Sequence, residues 1–275
     1  MKAPISPISR HEDAWVQTSK GRVFARTWTG SALTKNPVSK APIVLFHDSL
    51  GCVDLWRGFP ARLCESTGRN VIAYDRLGFG KSDPLQHKQS FGFIQEEAET
   101  YFPAVLQQLG FHKFIAFGHS VGGAMAVHCA GKFADSCQAL IAESAQAFVE
   151  DRTLHGLLEA RKEFQKRGQL DRLKKYHGSK AEWVLAAWTE TWLAPEFAKW
   201  SLEPELPRVK CPVLVIHGTD DEFGSNLHSE MIGRLVSGTS QITILPGCRH
   251  VPHKEHENIV VGLVTDFLKV HVRHI

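Results

Sequence analysis

The chain has 275 residues, 43% hydrophobic and 22% charged, with 32 lysines and arginines against 29 aspartates and glutamates. This fits one soluble domain with a generous core, excludes disordered and fibrous classes, and leaves no like-charge block for nucleic acid or an anionic membrane. Six cysteines without a C-x-x-C pair argue against a disulfide framework or zinc site, and no apolar run reaches membrane-spanning length, or signal-peptide length within Met1 to Arg10.

A cytoplasmic, reducing setting is therefore expected. Along the chain, Ala14–Ser19 and Arg22–Trp28 straddle Lys20-Gly21 and predict a β-hairpin. Short, continuously apolar runs at 42–46, 70–74, 113–117, 139–142 and 212–216 predict strands, as does the later run 241–245. Helical patterns lie between them at 55–65, 95–109 and 121–133, and a closing helix spans 256–271. Apolar strands alternating with helices predict an α/β architecture, a mostly parallel sheet with helices on both faces.

The rhythm breaks from 145 to 207, where helix-favouring stretches are punctuated by Gly168, Gly178 and Pro195 and no strand-like run appears. The segment reads as a helical cap inserted between two parts of one core, 1–144 and 208–275. It carries four of the chain's seven tryptophans, Trp183, Trp188, Trp192 and Trp200. Trp188 and Trp192 share a helix face by spacing and are expected to glue cap to core, the competing reading being that they line a pocket. Arg172, Lys174 and Lys175 read as a solvated helix face.

Chemistry concentrates at Gly118-His119-Ser120-Val121-Gly122, between the apolar run 114–117 and the helical run 124–127. A serine at a sharp strand-to-helix turn needs small neighbours two positions either side, which is the pattern of a nucleophile elbow. Serine is a poor nucleophile at neutral pH and requires an imidazole base and a carboxylate to orient it. Two loops following later strands offer them: His217-Gly218-Thr219-Asp220-Asp221 and Pro246-Gly247-Cys248-Arg249-His250.

Together with Asp75-Arg76-Leu77-Gly78-Phe79-Gly80-Lys81-Ser82, these motifs resemble the α/β-hydrolase superfamily from the first hairpin to the last helix. By position the resemblance makes Ser120 the nucleophile, His250 the general base and acid, and Asp221 the orienting carboxylate. Asp220 and Glu143 are the rival acids, and His217 and His253 the additional histidines. The oxyanion donors implied are the backbone N–H groups of Val121 and Ser49. The loop His47-Asp48-Ser49-Leu50-Gly51 departs from the family in carrying Asp48 where glycine is common; its side chain is expected to turn away and cap the following helix, and an inward side chain would weigh against ester cleavage and favour a substrate-binding role for it. The run 75–82 lacks the endings of phosphate-binding loops and reads as a structural turn.

The function so implied is a serine hydrolase cleaving a carboxylic ester of a small or medium-sized molecule through an acyl-enzyme, with no cofactor and no metal. Dehalogenases and epoxide hydrolases of this fold carry aspartate at the elbow. Carbon-carbon hydrolases of ring-cleavage products, thioesterases, amidases and perhydrolases share the triad, and a non-catalytic binding protein could keep the shell. The oligomeric state is not legible.

Overall fold

The computed structural model describes residues 10–30 and 40–272; the reading of Met1 to Arg10 lies almost wholly outside them. Eight strands form one sheet: β1 (Arg10–Thr18), β2 (Gly21–Thr29), β3 (Ile43–Phe46), β4 (Val71–Tyr74), β5 (Phe114–His119), β6 (Cys137–Glu143), β7 (Val213–Gly218) and β8 (Ser240–Leu245). Their order is β1-β2-β4-β3-β5-β6-β7-β8. The β1/β2 hairpin joins β4 antiparallel, and every other pairing is parallel.

The parallel strands are apolar throughout because both faces are covered. Val44, Phe46, Ala116, Leu140 and Val215 point to one side; Ile43, Leu45, Ile115, Phe117, Ile141 and Leu214 point to the other, the two-residue alternation of a pleated strand. The second face packs on α1 (Phe59–Thr67) and the closing helix α10 (Glu257–His271). The first packs on α2 (Phe93–Glu96), α3 (Phe102–Gln108), α4 (Val121–Lys132) and α8 (Asn226–Leu235).

Two predicted helices differ in detail. The run 55–65 is a 3₁₀ turn, Val53–Trp56, followed by α1; Arg57 at φ 53° breaks the ladder, and Pro60 restarts it in the first turn of α1. The run 95–109 is continuous from α2 to α3 but carries a π-helical segment, Glu97–Tyr101, just before Pro103. A one-turn helix, α9 (Pro252–Glu255), precedes α10.

Between β6 and β7 lie α5 (Asp151–Phe164), α6 (Gln169–His177) and α7 (Ala181–Trp192), with one isolated bridge, Phe148 to Ser201. The tryptophans divide between the two readings. Trp192 is buried against Phe197 and Trp200 in the main core, whereas Trp188 faces a cavity. Arg172, Lys174 and Lys175 are exposed.

The parallel strands all deliver their following loops to the same edge. That edge gathers residues 47–51 after β3, 75–82 after β4, 120 after β5, 144–147 after β6, 219–224 after β7 and 246–251 after β8.

Candidate active site

Ser120 sits between β5 and α4 with φ 58° and ψ −125°, a conformation that a side-chain-bearing residue occupies at a cost of about 1–3 kcal/mol. The surroundings enforce it. A Cβ at Gly118 would overlap the Gly122 carbonyl, and one at Gly122 would overlap the Phe46 carbonyl, so only glycine lets the start of α4 press against β3 and β5. The Ser120 N–H donates to the Glu143 carbonyl at 2.9 Å, fixing the turn to β6.

Ser120, His250 and Asp221 form one hydrogen-bonded chain. Ser120 Oγ lies 2.9 Å from His250 Nε2, and His250 Nδ1 lies 2.8 and 2.9 Å from the two Asp221 carboxylate oxygens. The carboxylate accepts only, so the His250 proton belongs on Nδ1 and the Nε2 lone pair faces the hydroxyl. Asp221 is 1% exposed. Burial pushes its carboxyl up, but the His250 charge and hydrogen bond, His217 and the Phe223 N–H outweigh that and bring it down to about 2. Oδ1 also accepts from the Phe223 and Gly224 N–H groups at 2.8 and 3.1 Å. Such a chain can pass a proton from hydroxyl to imidazole and hold the resulting charge.

The other candidates lie apart from the hydroxyl. Asp220 takes a hydrogen bond from the Thr219 hydroxyl at 2.8 Å. Glu143 is fully buried and bonds His253 Nδ1 at 2.5 Å. Burial raises the Glu143 carboxyl but His253 and His119 lower it further, so this site holds a carboxylate. His217 supports the Asp221 loop, with Nε2 donating to the Gly224 carbonyl at 3.1 Å.

The N–H groups of Ser49 and Val121 donate to no acceptor among the described residues. For Val121 this is the usual orphan donor of a first helical turn.

Asp48 corrects an expectation. Its side chain does not cap the following 3₁₀ turn, whose N-cap is Cys52; Oδ1 accepts the Leu50 N–H at 2.8 Å, and the residue lines the cavity beside Ser120. Its second oxygen lies 3.4 Å from Nδ1 of buried His119, whose Nε2 donates to the His250 carbonyl at 2.8 Å. Burial lowers the His119 pKa, but Asp48, Glu143 and the His250 carbonyl together raise it above its ordinary value.

His119, Glu143 and His253 are also the one group of three metal-type ligands among the described residues, with ligand atoms within 4.8 Å of one another. The 2.5 Å contact between His253 and Glu143 fits poorly with a shared ion, because two ligands at ~2.1 Å would then subtend only about 70°.

A cavity of about 340 Å³ opens over Ser120 and His250. Leu50, Leu55, Phe164, Trp188, Phe223 and Val251 give it apolar walls, and Gln146 and Lys254 add polar groups. Gln146 escapes sequence reasoning because no motif marks it, yet its Oε1 lies 3.4 Å from Ser120 Oγ. A separate cavity of about 390 Å³, between 88–91 and α7, contains none of these groups.

Among known proteins, the human serine hydrolase BPHL is 26% identical over 210 residues, covering 72% of this chain and 69% of that protein. A proline iminopeptidase of Lactobacillus helveticus is 24% identical over 272 residues, covering 84% and 91%. The solved enol-lactonase from Burkholderia xenovorans LB400 superposes with a TM-score of 0.72 at 17% identity over 93% of this chain and 100% of its own, a likeness of fold. The family model described as alpha/beta hydrolase fold matches residues 41–209. With the parallel sheet, the strained serine at its elbow and this match over more than half its length, the chain belongs to the α/β-hydrolase fold family.

Proposed function

We propose that the protein is a serine hydrolase that cleaves a carboxylic ester of a small or medium-sized molecule through an acyl-enzyme, with residues 145–207 as its cap. The observation that supports this reading is the unbroken path from Ser120 Oγ through His250 to Asp221, at 2.9 and 2.8 Å. Ser120 attacks the ester carbonyl as its proton passes to His250 Nε2, and Asp221 stabilises the imidazolium. The Ser49 and Val121 N–H groups hold the developing oxyanion, and the free state of both donors is what that task requires. His250 then protonates the departing alcohol, and water repeats the sequence on the acyl-enzyme. The apolar walls of the 340 Å³ cavity suit a medium-sized acyl or aryl group better than a strongly polar one.

The test is stoichiometric labelling of Ser120 by a fluorophosphonate, lost in Ser120→Ala and weakened in His250→Ala, with burst release of chromophore from activated esters of graded acyl length. A wild-type protein that neither labels nor bursts overturns the reading. Cleavage of a yellow dienoate without ester turnover moves the reaction to a carbon-carbon bond.

A further inference from the structure

The turn at 75–82 takes no part in the reaction proposed above, yet it is tied into the site from several sides. Asp75, at the end of β4, accepts the Val53 and Lys81 N–H groups, each at 2.6 Å, and Ser82 Oγ donates to the Asp75 carbonyl at 2.6 Å. Onto this turn the segment 145–207 docks. Lys180 Nζ donates to the Phe79 carbonyl at 3.3 Å and to that of Ser82. The Trp183 ring fills the space that a Cβ at Gly78 would need, and Phe79 meets both His177 and Trp183 edge to face.

His177, the last residue of α6, is 2% exposed and joins two loops. Its Nδ1 accepts the Gly80 N–H at 2.9 Å, and its Nε2 donates to the Leu50 carbonyl at 3.0 Å. One accepting and one donating nitrogen define a neutral ring protonated on Nε2.

Leu50 belongs to the tight turn Asp48–Gly51, closed by the Gly51 N–H on the Asp48 carbonyl at 3.1 Å, and Ser49 is its second residue. The start of that turn is held from the core: the Asp48 carbonyl lies 3.0 Å from Arg76 Nη2 and 2.8 Å from His47 Nδ1. Because the peptide is planar, fixing that carbonyl fixes the opposite direction of the Ser49 N–H. The far end of the turn is held by His177. We infer that His177 is a positioning residue through which docking of the cap sets the Ser49 oxyanion donor, so that the oxyanion hole is complete only with the cap seated. The inference rests on the hydrolase reading above, but the tether itself can be measured without substrate.

A carboxamide places its oxygen and nitrogen at nearly the separation of the two imidazole nitrogens, so His177→Gln can keep both bonds, whereas His177→Leu keeps neither. The leucine variant is expected to lower kcat on an activated ester roughly tenfold or more, with KM changing little, since a misplaced oxyanion donor acts on the transition state. Hydrogen exchange should quicken at Gly80 and across 47–52, and the glutamine variant should recover most of the rate and protection.

Charge adds a readout that packing alone would not move. The groups facing His177 are Asp48 and His47 from the oxyanion loop, Arg76 from the end of β4 and Lys180 from the cap; burial, with Lys180 and Arg76, keeps the ring neutral against Asp48 and the Leu50 carbonyl. Protonation destroys its acceptor, so wild-type kcat should fall relative to His177→Gln as pH drops below the ordinary imidazole range. The inference is overturned if folded His177→Leu keeps kcat within twofold, if its loss lies wholly in KM, or if exchange at 47–52 is unchanged. Failure of the wild type to label at Ser120 with exchange responding as expected would instead overturn the hydrolase reading and leave the tether standing.

Discussion

Replacing Asp221 by asparagine alters one atom of the proposed catalytic chain and almost nothing of its volume. Oδ1 receives the Phe223 and Gly224 N–H groups, so the amide oxygen stays on that side and the NH₂ takes the Oδ2 position, 2.9 Å from His250 Nδ1. A donor there selects the imidazole tautomer protonated on Nε2, whose N–H faces Ser120 and cannot take its proton. The carboxyl, depressed from 3.8 to about 2 against the opposing effect of burial, reports about 2 kcal/mol by which its surroundings favour the anion. Losing that stabilisation of the imidazolium together with the right tautomer predicts a fall in kcat of about 10³–10⁴, with KM within about threefold. Stopped-flow burst kinetics on an activated ester measures it.

The same carboxylate carries a pH signature in stability. Its folded pKa lies below the unfolded one, so its contribution is present above about pH 4 and disappears as pH falls through about 2; Asp221→Asn should flatten that limb of the acid-unfolding curve. Retention of more than a tenth of wild-type kcat refutes the argument. Retention together with collapse in Glu143→Gln transfers the carboxylate role to Glu143.

Gly122→Ala forces a methyl into the Phe46 and His47 carbonyls and should cost more than about 4 kcal/mol, read as loss of a cooperative melt at 37 °C. Glu97, buried and bonded by the Tyr74 hydroxyl at 2.6 Å, has its carboxyl raised by burial to about 7. It stabilises the fold fully below about pH 4.5 and loses that effect as pH rises through 7, so Glu97→Gln should melt like wild type at pH 5 and above it at pH 8.5, by about 1–3 kcal/mol. The Phe223 ring lies 4.8 Å from that of His250 and 5.8 Å from that of Trp188, tilted against both, and its truncation to alanine should lower kcat/KM for short esters about tenfold while sparing longer ones.

The parallel strands were legible because burial on both faces leaves runs such as Ile43–Phe46 and Val213–Ile216 continuously apolar, and no helix of that length reads the same way between turn residues. Helix boundaries were less so. Arg57 and the π-helical segment at Glu97–Tyr101 interrupt patterns whose apolar spacing runs straight through them, because the interruptions answer to packing rather than to local propensity. Ser120 and His250 could be singled out because each sits just beyond a strand end in a short motif, and Asp221, with Asp220 and Glu143 as rivals, by its place in the family pattern. Gln146, the Asp48–His119 pair and His177 could not: each depends on partners between 26 and 127 residues away, and nothing local announces those meetings. The inward turn of Asp48 is the instructive error. Its side chain meets a histidine partner 71 positions along the chain, which no local pattern shows.

The backbone angle at Ser120 sets function and durability against each other. Glycine in its place would relax about 1–3 kcal/mol of conformational strain and give back about 1 kcal/mol in unfolded-chain freedom, leaving a sturdier protein that, on the proposed hydrolase reading, is inert.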